Sequence, residues 1–137
     1  MNLIDSSVWI DYLRGADSRA TGEMRRLLTR PGAICIAEPV VMEILAGATS
    51  DRALAQLDAL TSGLTLVSVD PRLDYRDAAT IFRTARRRGR TVRRLNNCLI
   101  AAIALRRDVT LVHKDVDFDV LAEVTPLRTL SLRDDEA

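Results

Sequence analysis

Four acidic side chains stand where carboxylates can hold a metal ion. Asp5 follows the apolar pair Leu3 and Ile4, and Asp115 and Asp117 follow the apolar run from Val109 to Val112. Glu43 lies one turn into a segment that opens at Pro39, between Val40 and Ile44. That places it beside an apolar face, where a half-buried carboxylate needs a partner. Carboxylates gathered at one edge repel one another unless a cation sits among them. Hard oxygen ligands select Mg²⁺ or Mn²⁺ over zinc, which would want the His and Cys cluster this chain lacks. Each acid alone also has a bland reading. Asp5 before Ser6 and Ser7 suits a helix cap, Asp115 and Asp117 suit a turn, Asp119 suits a cap after Phe118, and Glu43 suits a solvated helix face.

The elements that must position these acids alternate between strand and helix. Strands are expected at Leu3–Ile4, Ala33–Ala37, Leu64–Val69, Val109–Val112 and Leu127–Leu130. Helices are expected at Ser7–Leu13, Glu23–Leu28, from Pro39 through Ala48, and at Ala53–Leu60. A long helix opens at Pro71 with Tyr75, Ala78, Ala79 and Phe82 on its apolar face. Two more follow, one starting near Asn96 and Asn97 and one at Phe118–Ala122. Strands separated by helices imply an α/β fold, with a mostly parallel sheet covered on both faces. Ligands in such folds bind beyond the carboxyl ends of the strands, which is where Asp5, Asp115 and Asp117 fall.

Composition narrows the class. The 137 residues suit one domain, expected over 1–133, with an acidic tail over 134–137 that frays. A hydrophobic fraction of 47% excludes wholesale disorder. No apolar run approaches the ~20 residues needed to span a bilayer. The start at Met1–Asp5 lacks the basic and hydrophobic regions of a signal peptide, so a cytoplasmic protein without membrane contact is expected. Cys35 and Cys98 lie in apolar stretches without metal-like spacing and read as buried free thiols. A single histidine, His113, removes chemistry that runs on a histidine pair.

Charge is balanced in sum, with 20 basic residues against 19 acidic and a formal net charge of +1. Lys114 is the only lysine and the other basic residues are arginines, whose planar forks suit phosphate, although a codon bias gives the same skew. Seven of them, Arg83, Arg86, Arg87, Arg88, Arg90, Arg93 and Arg94, crowd into the twelve residues from 83 to 94. Arg83, Arg87 and Arg90 are expected on the polar face of the long helix, and the run leads toward Asn97. A solvated stripe is the ordinary reading of such a run. As an RNA-binding patch it would give salt-dependent, largely sequence-independent affinity. Of the few aromatics, Phe82 and Phe118 read as core, whereas Trp9 and Tyr12 read as a partner surface or a base platform.

Four stretches in order resemble the PIN-domain family, in particular the VapC-type toxins of bacterial toxin–antitoxin pairs. They are Leu3-Ile4-Asp5-Ser6-Ser7-Val8-Trp9-Ile10, Glu38-Pro39-Val40-Val41-Met42-Glu43-Ile44-Leu45-Ala46-Gly47, Asn97-Cys98-Leu99-Ile100-Ala101-Ala102 and His113-Lys114-Asp115-Val116-Asp117-Phe118. Each is short, but four in order at matching spacing are specific. The resemblance implies a three-layer α/β/α sandwich, usually dimeric. It also implies metal-dependent endoribonuclease activity, on tRNA or rRNA, blocked by a cognate VapB-type antitoxin in a hetero-oligomer. Carried over, Asp5, Glu43 and Asp115 match metal-binding acids, with Asp117 as a catalytic neighbour and Ser7 as a hydroxyl beside the metal.

Asn97 departs from the pattern, because the resemblance expects an aspartate there. It keeps one neutral carbonyl ligand and loses a negative charge. It is either native, with a weaker metal site, or a replacement of a native aspartate, which the genomic sequence distinguishes. The expected chemistry is Mg²⁺- or Mn²⁺-assisted hydrolysis leaving 5′-phosphate and 3′-hydroxyl ends. The route through 2′-hydroxyl attack commonly relies on a His pair. Two other readings stay open: a catalytically impaired binding module because of Asn97, and a phosphatase-like hydrolase with Asp5 as nucleophile. The second usually carries another Asp two residues on, where this chain has Ser7.

Overall fold

Five short strands form one fully parallel sheet in the order β3-β2-β1-β4-β5, in a computed structural model that describes residues 1–134. The strands are β1 (Asn2–Ile4), β2 (Ile34–Ile36), β3 (Thr65–Leu66), β4 (Thr110–His113) and β5 (Thr129–Ser131). Leu3 of β1 pairs with Cys35 on one side and Leu111 on the other. Seven helices flank the sheet: α1 (Ser6–Leu13), α2 (Arg19–Leu28), α3 (Glu38–Ala46), α4 (Asp51–Ser62), α5 (Asp74–Arg87), α6 (Leu95–Arg107) and α7 (Val116–Val124). The chain steps from β1 outward to β2 and β3, then returns past β1 to β4 and β5. Right-handed crossovers therefore send α1–α4 to one face and α5–α7 to the other, which gives the expected α/β/α layers. The order reverses between β1 and β4. Their carboxyl ends form the crevice where ligands bind in such sheets. Asp5 and Asp115 sit at those two ends. From Asp135 on, the expected acidic tail lies outside the described residues.

The element boundaries differ from expectation where a cap or a turn decides them. Helix α2 begins at Arg19, four residues early, because Ser18 Oγ accepts from Thr21 N at 3.2 Å. Ser50 starts α4 at Asp51 in the same way, accepting from Ala53 N. Helix α5 begins at Asp74 instead of Pro71, since Asp70 closes a turn over 71–73 by accepting from Arg72 N and Asp74 N. Strand β5 is shifted to Thr129–Ser131, with Leu127 buried just ahead of it. Strand β3 shrinks to two residues.

The core corrects two assignments of individual side chains. Trp9 is fully buried between the sheet and its own helix, edge-on to Tyr12 at 6.2 Å, so it is neither a partner surface nor a base platform. Phe118 is buried as expected. The inner face of α5 is Ala78, Ile81 and Ala85, at spacings of three and four, whereas Tyr75 is exposed. Asp74, also fully buried, is held by both arms of Arg106 on α6 at 2.9 Å, and this pair ties the two helices together. Cys35 and Cys98 are free and buried, and burial pushes both thiols up to about 11. Among the described residues, no helix is long and apolar enough to cross a membrane.

Candidate active site

Asp5 ends β1 and caps α1. One oxygen, Oδ2, accepts from Ser7 N at 3.1 Å and Ser7 Oγ at 2.5 Å. Ser7 Oγ in turn accepts from Lys114 N, so one hydroxyl stitches the end of β1 to the end of β4. The other oxygen, Asp5 Oδ1, is buried without a hydrogen-bond partner, and so is Glu43 Oε1. Asp5 is 3% exposed. Burial, reinforced by the Glu43 and Asp115 charges against the pull of Ser7, raises its carboxyl to about 6.

The second half of the site is closed by hydrogen bonds. Asp115 caps α7, its Oδ1 accepting from Asp117 N at 2.9 Å and from the Arg93 guanidinium at 3.1 Å. Asp117 is fully buried and holds the connector leading into α6, accepting from Arg93 N at 3.0 Å and Arg94 N at 3.1 Å. Between them lies Asn97, whose Nδ2 donates to Asp115 Oδ2 at 3.1 Å and Asp117 Oδ2 at 3.0 Å. Burial works against the Asp117 charge, but these donors outweigh it and hold the carboxyl below its usual range. Asp119 is not the helix cap; it pairs with Arg133 at 2.8 Å.

Two arginines stand at the mouth of the cleft. Arg94 pairs with Glu43 Oε2, and Arg93 pairs with Asp115 and Asp117. Lys114 turns away to Asp11 at 2.5 Å. The arginine run is not one helical stripe. A Gly89 backbone at φ 71°, with Gly89 N donating to Arg86 O and Arg90 N to Ala85 O, ends α5 at Arg87. Arg90 therefore leaves the helix and pairs with Glu123 at 2.6 Å. Arg86 lies over the Phe82 ring, and Arg83, Arg87 and Arg88 make no ion pair among the described residues. Val92 is buried and anchors the connector that aims Arg93 and Arg94 at the acids. Sequence reasoning placed these two on a substrate patch and missed their reach to Glu43 and Asp115. The glycine after Arg88 was the available signal.

His113 is fully buried and its Nδ1 accepts from Asp115 N at 3.1 Å, so the neutral ring carries its proton on Nε2. Burial lowers its pKa despite the nearby carboxylates. It has no free nitrogen to act as a base on a substrate in this arrangement.

Which acids suit a metal follows from what their oxygens lack. The two unpartnered buried oxygens, Asp5 Oδ1 and Glu43 Oε1, are the donors a hard divalent cation would satisfy. Among the described residues, no three His, Cys, Asp or Glu side chains are drawn together tightly enough to hold one outright. The physical reason is visible in the pairing: Arg94 and Arg93 engage Glu43 and Asp115, and an amide occupies the place of a further acid.

A PIN-domain family model matches residues 3–124. The chain belongs to the PIN-domain family. A VapC ribonuclease of Mycobacterium bovis and ribonuclease VapC11 of Mycobacterium tuberculosis are each 48% identical over 134 residues, which is 97% of this chain and the whole of each relative. The PIN fold is shared with FitAB bound to a DNA fragment (TM-score 0.77, 18% identity, 100% of this chain and 99% of that one). It is also shared with VapBC2 of Rickettsia felis bound to promoter DNA (TM-score 0.73, 16% identity, 95% and 97%). A third likeness is to VapC20 of Mycobacterium tuberculosis, described as cleaving the sarcin–ricin loop (TM-score 0.70, 16% identity, 93% and 99%).

Proposed function

We propose that this PIN domain is a VapC-type toxin, an endoribonuclease that hydrolyses phosphodiester bonds of tRNA or rRNA with Mg²⁺ or Mn²⁺. The observation that carries the reading is the pair of buried, unpartnered oxygens on Asp5 and Glu43 at the switch point between β1 and β4, faced by two arginines. The two relatives named as ribonucleases, at 48% identity over nearly the whole chain, support it.

Asp5 and Glu43 would hold the cation, with Asp115 beside them. When bound, such a cation supplies polarisation of a phosphoryl oxygen and activation of the attacking water. The chain's own residues do the rest. Ser7 holds Asp5 Oδ2 with two donors and leaves Oδ1 without a protein partner. Asp117, hydrogen-bonded to the backbone of Arg93 and Arg94, sets where those two guanidinium groups stand. Arg93 and Arg94 exchange a carboxylate for a substrate phosphate, and Arg83, Arg86, Arg87 and Arg90 extend the positive flank along the RNA. The buried neutral His113 supports a route without a histidine base, leaving 5′-phosphate and 3′-hydroxyl ends.

The likeness to the VapBC2 and FitAB complexes supports a cognate VapB-type antitoxin in a hetero-oligomer; a homodimer within it and a cytoplasmic setting belong to the same reading. An arginine of the antitoxin would compete with Arg94 for Glu43. A groove of about 210 Å³ lined by Ile10, Leu13, Ile44 and Leu57 runs to Glu43 and suits apolar residues beside that arginine.

Mapping the ends of RNA fragments released by the chain and by Asp5→Asn tests the reading. Fragments with 5′-phosphates, lost in Asp5→Asn, are expected. Cyclic phosphate ends, or undiminished cleavage by Asp5→Asn, would reject it. Adding the cognate antitoxin should suppress cleavage, and full activity within a stable complex would contradict the partner assignment.

A further inference from the structure

Asp115 and Asp117 are neighbours that ought to repel, and the group between them is an amide. Asn97 is 1% exposed, and its Nδ2 lies 3.1 Å from one carboxylate and 3.0 Å from the other. Its carbonyl turned that way would face two anions, so the amide nitrogen is the only end that fits. Each of its two N–H bonds therefore reaches one acid, and both are charge-assisted.

The acceptor count follows. Asp117 has its two oxygens taken by Arg93 N, Arg94 N and Asn97 Nδ2, with Arg93 Nε at 3.5 Å as a fourth, long contact. Asp115 accepts three donors, Asp117 N, Arg93 Nη2 and Asn97 Nδ2, which leaves one lone pair on Oδ2. Asp5 Oδ1 and Glu43 Oε1 accept none and are buried. The site is thus divided. One half is satisfied by donors from the protein, and the other half ends in bare oxygens.

We propose that Asn97 is a positioning residue whose amide joins Asp115 to Asp117 in the place of a cation, so that the cleft takes one divalent ion, at the bare oxygens of Asp5 and Glu43, and not two. The inference rests on the metal-dependent reading above and specifies it. An aspartate at position 97 would remove both N–H donors and set a third buried carboxylate against the other two. That arrangement costs stability unless one acid keeps a proton or a second ion sits among them. Asn97 makes the fold around α6 and α7 independent of metal.

Two measurements on the full chain and on Asn97→Asp test this, with Asn97→Gln as a variant that keeps an amide. The first is thermal unfolding in EDTA. The Tm of Asn97→Asp should fall by several degrees below that of the parent, and Mn²⁺ should restore it, while Asn97→Gln falls less and shows a smaller response to metal. Equal Tm for the parent and Asn97→Asp in EDTA would overturn the amide bridge whatever the metal does.

The second is Mn²⁺ stoichiometry, by titration calorimetry and by the loss of the free-ion signal in electron paramagnetic resonance. One ion per parent chain and two per Asn97→Asp chain are expected. Two ions on the parent would overturn the inference and leave the metal-dependent reading standing. No binding by either chain would overturn both.

Discussion

Arg93 reaches Asp115 Oδ1 with its guanidinium at 3.1 Å, while its backbone N–H donates to Asp117 at 3.0 Å. One residue is thus held at its backbone by one acid of the cleft and at its side-chain tip by another. The side chain is 62% exposed, so the tip can leave Asp115 for a phosphate without unmaking the backbone anchor. Asp117 is in this sense the fixed post and Arg93 the arm.

Removing the arm should weaken RNA binding without unfolding the protein. Arg93→Ala and Arg94→Ala are each expected to lower affinity and to reduce the slope of log K against log salt by about 0.7 for a single-stranded RNA. Binding isotherms at several salt concentrations read this directly. An unchanged slope in both variants would place the phosphate contacts elsewhere.

The Asp5 carboxyl, raised to about 6 chiefly by burial, sets a pH dependence of stability. An acid whose pKa is raised in the folded state favours folding while protonated, and that contribution is lost as pH climbs through about 6. Asp5→Asn removes the penalty of a buried charge, on the order of 2–3 kcal/mol at neutral pH in the metal-free protein. Urea unfolding in EDTA should show Asp5→Asn more stable than the parent at pH 7.5, with a smaller gain at pH 5. The same gain at both pH values would show that the fold does not raise the Asp5 carboxyl.

The Asp74–Arg106 pair carries a different kind of prediction, because it lies outside the cleft. Arg106→Met leaves Asp74 buried with its charge uncompensated by a side chain and should cost about 3 kcal/mol of stability. The RNA cleavage rate per folded molecule should stay close to that of the parent. A loss under 0.5 kcal/mol by urea unfolding would show that the pair is not what joins α5 to α6.

What could be read before folding was the placement of acids relative to apolar runs. Asp5 after Leu3 and Ile4, and Asp115 after Val112, mark strand ends by local pattern alone, and the parallel order then brings them together. Glu43 was legible for a similar reason, since Pro39 sets the helix start and Val40 and Ile44 set its inner face. The contacts that give these acids their character were not legible. Asn97 meets Asp115 and Asp117 across 18 and 20 residues, Arg94 meets Glu43 across 51, and Asp74 meets Arg106 across 32. No periodicity records such pairs. A large aromatic such as Trp9 on a short helix has the same sequence pattern whether it faces the sheet or a partner. The charge pattern continues to Arg90 past Gly89, where the backbone turns out of the helix.

On the proposed function, the acidic cleft works through a divalent cation. RNA cleavage by the chain and by Asn97→Asp, each in Mn²⁺ and in excess EDTA, tests it most directly. The account predicts cleavage in Mn²⁺, strongest for Asn97→Asp, and none by either protein in EDTA. Cleavage that persists in EDTA would contradict it.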